Sequence, residues 1–247
     1  MIHFITYGDE KYTASKSRIE KEAKETKWFD SITIYSPENI DSTFRNKFSD
    51  ILNLKRGGGY WLWKNYFIRQ KMKDIKNGDI LIYMDAGCTI NKYGKKRFNE
   101  YIEMLNANDL GMISFQMHHL EKKYTTRQVF EYFNIDINGK IPNTGQIMAT
   151  VRIMKKNQNC INILNKEFSV CQDNPLLITD NYNKCNQYKC FIDHRHDQSI
   201  SSVVQKLSNT IVLKDETYFL NKDEKKIKFG SEVTLKYPFW ATRYRKH

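Results

Sequence analysis

Four short stretches carry side chains that could do chemistry. In "DILIYMDAGCTI", the apolar run Ile80–Met84 ends in Asp85, followed by the small residues Ala86 and Gly87. A carboxylate at the tip of a buried strand must meet a cation, a hydrogen-bond donor or solvent. Gly87 would let a ligand approach the backbone closely. In "FIDHRHDQSI", Asp193, His194, His196 and Asp197 fall within five positions and Gln198 follows. Imidazole and carboxylate are both ligands for Mn²⁺, Mg²⁺ or Zn²⁺. The plainer reading is that Asp197 caps a helix and the histidines are exposed. In "RGGGYWLWK", Gly57–Gly59 precede a helix, a geometry that can aim backbone N–H groups at an anion. The spacing is neither Walker A nor G-x-G-x-x-G, and a flexible connector reads equally well. Lys64 lies one turn into that helix among Trp61, Trp63 and Tyr66, where it could face a phosphate or lie across the rings. Finally, "NTGQIMA" places Asn143, Thr144 and Gly145 in a turn between apolar segments.

The elements that must hold these residues alternate. Strands are expected at Ile2–Gly8, Ser31–Ser36, Asp79–Gly87 and Leu110–Gln116 from their β-branched and apolar runs. Helices are expected from Ser15 to about Trp28, from Tyr60 to Ile75 and from Lys95 to Asn106, with a broken helical stretch over Phe44–Leu52. A short helix follows Thr125 or Thr126, and "IPNTGQIMATV" reads as a strand broken by a turn. Amphipathic helices over Asn157–Cys171 and His196–Leu207 precede a late strand within Asn209–Phe219. Strand–helix alternation implies an α/β fold with a mostly parallel sheet flanked by helices, in a single domain spanning 1–247. Ligands of such sheets bind beyond the carboxyl ends of the strands, where Gly8, Asp85 and the turn after Gln116 would sit.

Composition narrows the classes. Of 247 residues, 40% are hydrophobic and 28% charged, enough for a core and unlike a disordered chain. No apolar run reaches the ~18–20 residues of a membrane span, and the N-terminus lacks the features of a signal peptide, so a cytoplasmic protein is expected. Five cysteines, an odd number, suit free thiols. Zinc at Cys185 and Cys190 with help from His194 and His196 is the less favoured reading. The net charge of +12 fits nucleic acid, an anionic membrane surface or an anionic substrate such as a nucleotide diphosphate. Much of it is mixed with Glu at helical spacing, which is a solvated face. The C-terminal "YPFWATRYRKH" instead interleaves aromatic and basic residues.

Taken in order, the motifs resemble those of the GT-A (Rossmann-like) glycosyltransferases, which use nucleotide-sugar donors. "ILIYMDAG" is similar to that family's hydrophobic-Tyr-hydrophobic-D-x-D strand, "PNTGQIMA" to its N-[ST]-G-hydrophobic turn, and "HDQSI" to its later D-Q element. The block "GGGYWLWKNYFI…GDILIYMDAGC" resembles small polysaccharide-type, retaining-type enzymes of bacteria and large viruses. The resemblance spans Ile2 to about Leu207. The chain departs from it at Gly87, which stands where the second acid, the usual metal ligand, would be.

The resemblance implies transfer of a hexose from a nucleotide diphosphate sugar, a UDP-sugar first, to a hydroxyl of a glycan or similar acceptor. Asp197, Gln198 and Asp85 would be catalytic. Tyr7, Lys64, Asp85, Ala86, Gly87, Asn143, Thr144, Gly145 and Arg243 would bind the donor, with Tyr7 stacking on the base. Two readings of the missing acid stand. In one, Asp85 with His194 or His196 holds Mn²⁺ or Mg²⁺. In the other, Lys64, Arg56, Arg243 and Arg245 neutralise the leaving diphosphate themselves. The tail over about 236–247 would act as a lid, or touch a membrane surface peripherally. A non-catalytic nucleic-acid-binding protein and a sugar-nucleotide hydrolase are the alternatives. No zinc-finger spacing or aromatic RNA-binding motif supports the former, so no nucleic-acid partner is expected.

Overall fold

Apolar residues alternate between two cores along the central strands, and that alternation fixes the architecture. The computed structural model describes residues 1–221 and 223–244. Its strands are β1 (Ile2–Tyr7), β2 (Ser31–Tyr35), β3 (Ile80–Met84), β4 (Thr89–Ile90), β5 (Met112–Leu120), β6 (Gly145–Ile147), β7 (Val151–Lys155), β8 (Ile211–Lys214) and β9 (Phe239–Trp240). The main sheet runs β2-β1-β3-β7-β5-β6, with β8 beside β5. Strands β1, β2, β3, β5 and β8 point one way, while β6 and β7 run against them. The sheet is thus mostly parallel, as its sequence pattern suggests, and β7 is the antiparallel insertion at its centre.

In β3, Leu81 and Tyr83 enter one core and Ile80, Ile82 and Met84 the other. The first core is covered by the helices Leu62–Asp74, Gln158–Asp173 and Asp197–Leu207, and the second by Thr13–Thr26 and Lys95–Asn106. A strand buried on both faces has no solvent side, so its first polar residue, Asp85, falls at its end. There the Asp85 N–H donates to the Thr150 carbonyl, 3.0 Å, joining β3 to the start of β7.

The helices predicted from periodicity are present with ends shifted by one or two residues. Three expectations change more, the first being that the strand expected to end at Gln116 runs on to Leu120, so no turn follows Gln116. The late strand shortens to Ile211–Lys214, and the glycine run Gly57–Gly59 is a fixed left-handed turn rather than a flexible connector. The C-terminal segment is also structured within the described residues. β9 pairs antiparallel with β4, immediately after the Asp85 loop. Gly94 makes room for it, since a Cβ there would lie 2.4 Å from the Pro238 nitrogen. All five cysteines are free. Among the described residues, no helix is long and apolar enough to cross a membrane.

Gly145 is required by the β5–β6 pairing. A Cβ there would sit 1.7 Å from the Met117 carbonyl oxygen, a backbone atom that cannot swing aside. Gly145→Ala is expected to cost about 1–3 kcal/mol and to lower the melting temperature by ~2–12 °C, read by thermal unfolding. An unchanged melting temperature would show that β6 does not need this approach.

Candidate active site

Lys64 is placed by the turn before it. Gly57, Gly58, Gly59, Tyr60 and Trp61 all have positive φ, between 51° and 92°. Glycine tolerates this at no steric cost, whereas Tyr60 and Trp61 each cost about 1–2 kcal/mol there. A Cβ at Gly59 would lie 2.6 Å from the Leu52 Cα, so this glycine is also sterically required. The turn delivers the chain into the helix Leu62–Asp74 with Lys64 in its first turn, pointing inward. The Lys64 ammonium is buried and lies 3.2 Å from Asp85 Oδ1 and 2.7 Å from Asp197 Oδ2. It also donates to the Ala149 carbonyl at 3.4 Å.

Burial alone would drive Lys64 toward its neutral form. The carboxylates of Asp197 and Asp85 outweigh that, and its pKa ends above the ordinary lysine value. Burial raises the Asp197 pKa, and the adjacent ammonium opposes the rise. The Tyr83 phenol, raised well above its ordinary value by burial and then by Asp85, stays neutral and donates to Asp85 Oδ1 at 2.5 Å. The array is therefore one ammonium held between two carboxylates, with a phenol as a third anchor.

Asp197 is the first residue of the helix Asp197–Leu207, where a negative charge suits the helix dipole. It is not the cap. That position belongs to His196, whose backbone is strained at φ 56°, ψ −121°. Gln198 follows with both ends used: its Oε1 accepts from the Ala149 N–H at 3.3 Å, and its Nε2 donates to Gln146 Oε1 at 2.7 Å. Gln146 is buried and donates in turn to Glu121 Oε1 at 2.8 Å.

Lys64, Asp85, Gln146, Asp197 and Gln198 line a cleft of ≈400 Å³ at the carboxyl edge of the sheet, a size common to small-molecule sites. Arg56, Lys64, Arg195 and Arg243 contribute four cations to its walls against the two carboxylates Asp85 and Asp197. The excess of positive charge suits an anionic ligand. Tyr12, Trp61, Tyr124, His119 and Gln146 complete much of the remaining wall.

Several expected residues stand elsewhere. Tyr7 does not line the cleft; it is buried and stacked on Trp63 with ring centroids 3.8 Å apart, so it has no free face for a base. Tyr12 occupies the cleft side of that strand end. Asn143 and Thr144 do not line it either. Asn143 closes its own loop by donating to the Gly139 and Ile137 carbonyls at 2.8 and 3.1 Å, and Thr144 Oγ1 donates to the Ile141 carbonyl at 3.0 Å. Gly145 serves the strand pairing described above, and the turn's contribution to the cleft is the next residue, Gln146. Ala86 is buried and its carbonyl accepts from Arg18 at 3.1 Å. Gly87 lines the cleft and takes the C-terminal segment on its carbonyl: the Tyr244 N–H donates at 2.9 Å and Thr242 Oγ1 at 2.8 Å. Arg243 lies on the wall, and Arg245 lies outside the described residues.

The histidines do not join Asp85. His194 is fully buried, with Nε2 on the Leu177 carbonyl at 2.9 Å, and burial followed by His196 lowers its pKa to about 3. His196 bonds Asp180 Oδ1 at 3.0 Å, and Asp180 also receives Arg56 at 2.6 Å and Tyr60 at 2.9 Å. Among the described residues no three His, Cys, Asp or Glu side chains converge to hold a metal ion. The set Asp85, His194 and His196 does not fit Mn²⁺ or Mg²⁺, because the three side chains do not converge on one point and the cation beside Asp85 is Lys64. Cys185 and Cys190 likewise do not converge with these histidines on a zinc site.

Arg195 and Gln146 were not singled out from sequence, although each adjoins a residue that was. Their chain neighbours carried the only available signal.

With this geometry, the chain has the GT-A fold, the α/β fold of a large class of glycosyltransferases. It is similar to a glycosyltransferase involved in the glycosylation of the major capsid of the virus PBCV-1, at 11% identity, covering 97% of this chain and 91% of that one with a TM-score of 0.51. Further matches are the galactosyltransferase LgtC in complex with donor and acceptor sugar analogs (13% identity, 90% and 76% covered, TM-score 0.48) and mouse xyloside xylosyltransferase 1 (11%, 87% and 85%, 0.44). At these identities the likeness is one of fold. No family model matches the chain, and no curated protein matches it in sequence.

Removing the central cation should leave two carboxylates facing each other. Lys64→Met is expected to cost about 3–5 kcal/mol at neutral pH, the size of a broken buried pair. Without its ammonium, Asp197 has a folded pKa above its unfolded value, so the folded state holds the proton more tightly. The variant should then regain stability as pH falls and lose it as pH rises through that pKa. Urea unfolding at neutral and mildly acidic pH measures this, and a pH-independent loss would contradict the pairing.

Proposed function

We propose that this protein transfers a hexose from a nucleotide diphosphate sugar, with a UDP-sugar as the first candidate, to a hydroxyl of a glycan or similar acceptor. The observation that carries the proposal is the Asp85–Lys64–Asp197 array on the wall of a net-cationic cleft at the carboxyl edge of a GT-A sheet. Such a reaction develops negative charge on the departing diphosphate and positive charge on the sugar. Both signs are present within a few ångströms. Lys64, assisted by Arg56 and Arg243, neutralises the diphosphate. Asp85 lies beside that ammonium and accepts ribose hydroxyls. Asp197 and Gln198 face the sugar, where the carboxylate favours the electron-poor anomeric carbon. Gln198 is oriented for this by Gln146 and the Ala149 N–H.

In this reading Lys64 takes the role that the family resemblance gave to Mn²⁺ or Mg²⁺. The described part of the C-terminal segment, 236–244, closes one side of the cleft over Gly87. Arg243 and Tyr244 are the residues through which it acts as a lid on the nucleotide.

Thermal-shift assays against UDP, GDP and CMP and their sugars test the donor, since a ligand that binds the folded state raises its stability. UDP is expected to raise the melting temperature equally with Mn²⁺ and with EDTA, and a shift seen only with Mn²⁺ would remove the role given to Lys64. Arg243→Ala should weaken UDP binding by about tenfold, the worth of one charged contact. Asp85→Asn and Asp197→Asn should each lower transfer by about a hundredfold. Full transfer by both variants would refute the catalytic assignment.

A further inference from the structure

Lys64 and Asp197 line two spaces. One is the cleft; the other is a cavity of ≈20 Å³ on the core side of the pair, whose other polar walls are Asn65, Arg152, Glu167 and Ser201. Arg152, in β7, and Glu167, in the helix Gln158–Asp173, are both buried and form a two-pronged ion pair at 2.8 and 2.7 Å. Asn65 Nδ2 donates to Glu167 Oε2 at 3.0 Å and to the Leu164 carbonyl at 3.3 Å. Ser201, one turn beyond Asp197, donates to Glu167 Oε1 at 2.9 Å.

Three atoms of this group are sealed from solvent without a hydrogen-bond partner: Asn65 Oδ1, Arg152 Nε and Asp197 Oδ2. Asp197 Oδ2 faces the Lys64 ammonium as an ion pair, but a carboxylate oxygen can accept more than one partner. The three residues that carry this one N–H donor and these two oxygen acceptors all line the same small space. That is the complement of one water molecule, which has two hydrogens to give and a lone pair to receive. The volume suits one water, which needs roughly 10–15 Å³, and buried waters typically make about three such bonds. A metal cation is a poor occupant beside the Arg152 guanidinium.

We propose that this cavity binds one internal water, which donates to Asn65 Oδ1 and Asp197 Oδ2, accepts from Arg152 Nε–H, and makes Asn65 and Arg152 positioning residues for Asp197. Through this water, the carboxylate at the cleft is tied to the rigid Arg152–Glu167–Ser201 array. The water's existence is independent of the glycosyl-transfer reading, whereas its effect on turnover rests on that reading.

A high-resolution crystal structure of the wild-type protein should show one density peak within hydrogen-bond distance of all three atoms. An empty cavity there would overturn the proposal. Asn65→Leu removes an acceptor and fills the space. With the donor sugar that the thermal-shift assays select, it should lower kcat about tenfold, the worth of one lost hydrogen bond, at unchanged donor KM. It should also move the acid limb of the pH profile upward, because Asp197 loses a donor that favours its charged form. Asn65→Ser keeps an acceptor and leaves room for water, so it should restore most of kcat and the pH profile. If Asn65→Leu changes only the melting temperature, the positioning role is lost. If no donor sugar is turned over by the wild-type protein, the functional reading fails while the density peak still decides the water.

Discussion

A buried ammonium must be paired, and that requirement organises this molecule around Lys64. Its two carboxylates come from separate parts of the chain: Asp85 ends β3, and Asp197 opens a helix more than a hundred residues later. Neither could be brought to Lys64 unless the sheet set β3 beside β7 and the helices packed on one face. The Ala149 carbonyl, just before β7, contacts the same ammonium. The array thus locks three elements together at the edge where the cleft opens. Removing the ammonium leaves the two carboxylates facing each other without compensation.

The glycines near the site serve that geometry in two different ways. Gly57–Gly59 supply a run of positive φ that turns the chain into the Lys64 helix, and Tyr60 and Trp61 follow the same left-handed path at a cost. That strain is offset by what it arranges: Tyr60 reaches Asp180, and Trp61 packs beside the His196 ring, 5.2 Å between centroids. Gly87 acts by being small. A Cβ there would lie 3.2 Å from the Tyr244 carbonyl oxygen and 3.4 Å from the Arg243 Cα. Where the family resemblance leads one to look for a second acid, the space is filled by the backbone of the C-terminal segment, which brings Arg243 onto the cleft wall.

Much of the architecture was legible in the sequence because it follows from local rules. The apolar runs gave the strands, the 3.6-residue periodicity gave the long helices, and the abrupt end of Ile80–Met84 in Asp85 placed that carboxylate at a sheet edge. Lys64, Asp85, Asp197 and Gln198 stand out by their settings, Arg243 follows from the family resemblance, and all line one cleft. Tyr7, Asn143 and Thr144 were not distinguishable from cleft residues by type or position in the chain. Their side chains are used in stacking or loop closure, which depends on neighbours distant in sequence. His194 and His196 look like ligands because they are close in the chain. Their rings stay neighbours, 5.4 Å between centroids, but bond Leu177 and Asp180 and do not converge with Asp85.

The sequence by itself determined the α/β class, the edge on which Asp85 lies and the excess of positive charge, since periodicity, strand length and composition are properties of the chain alone. Only the tertiary structure decided what stands opposite Asp85. Pairing partners for a buried charge are chosen by which elements pack together, and no local pattern encodes that the answer is Lys64 and Asp197 rather than two histidines.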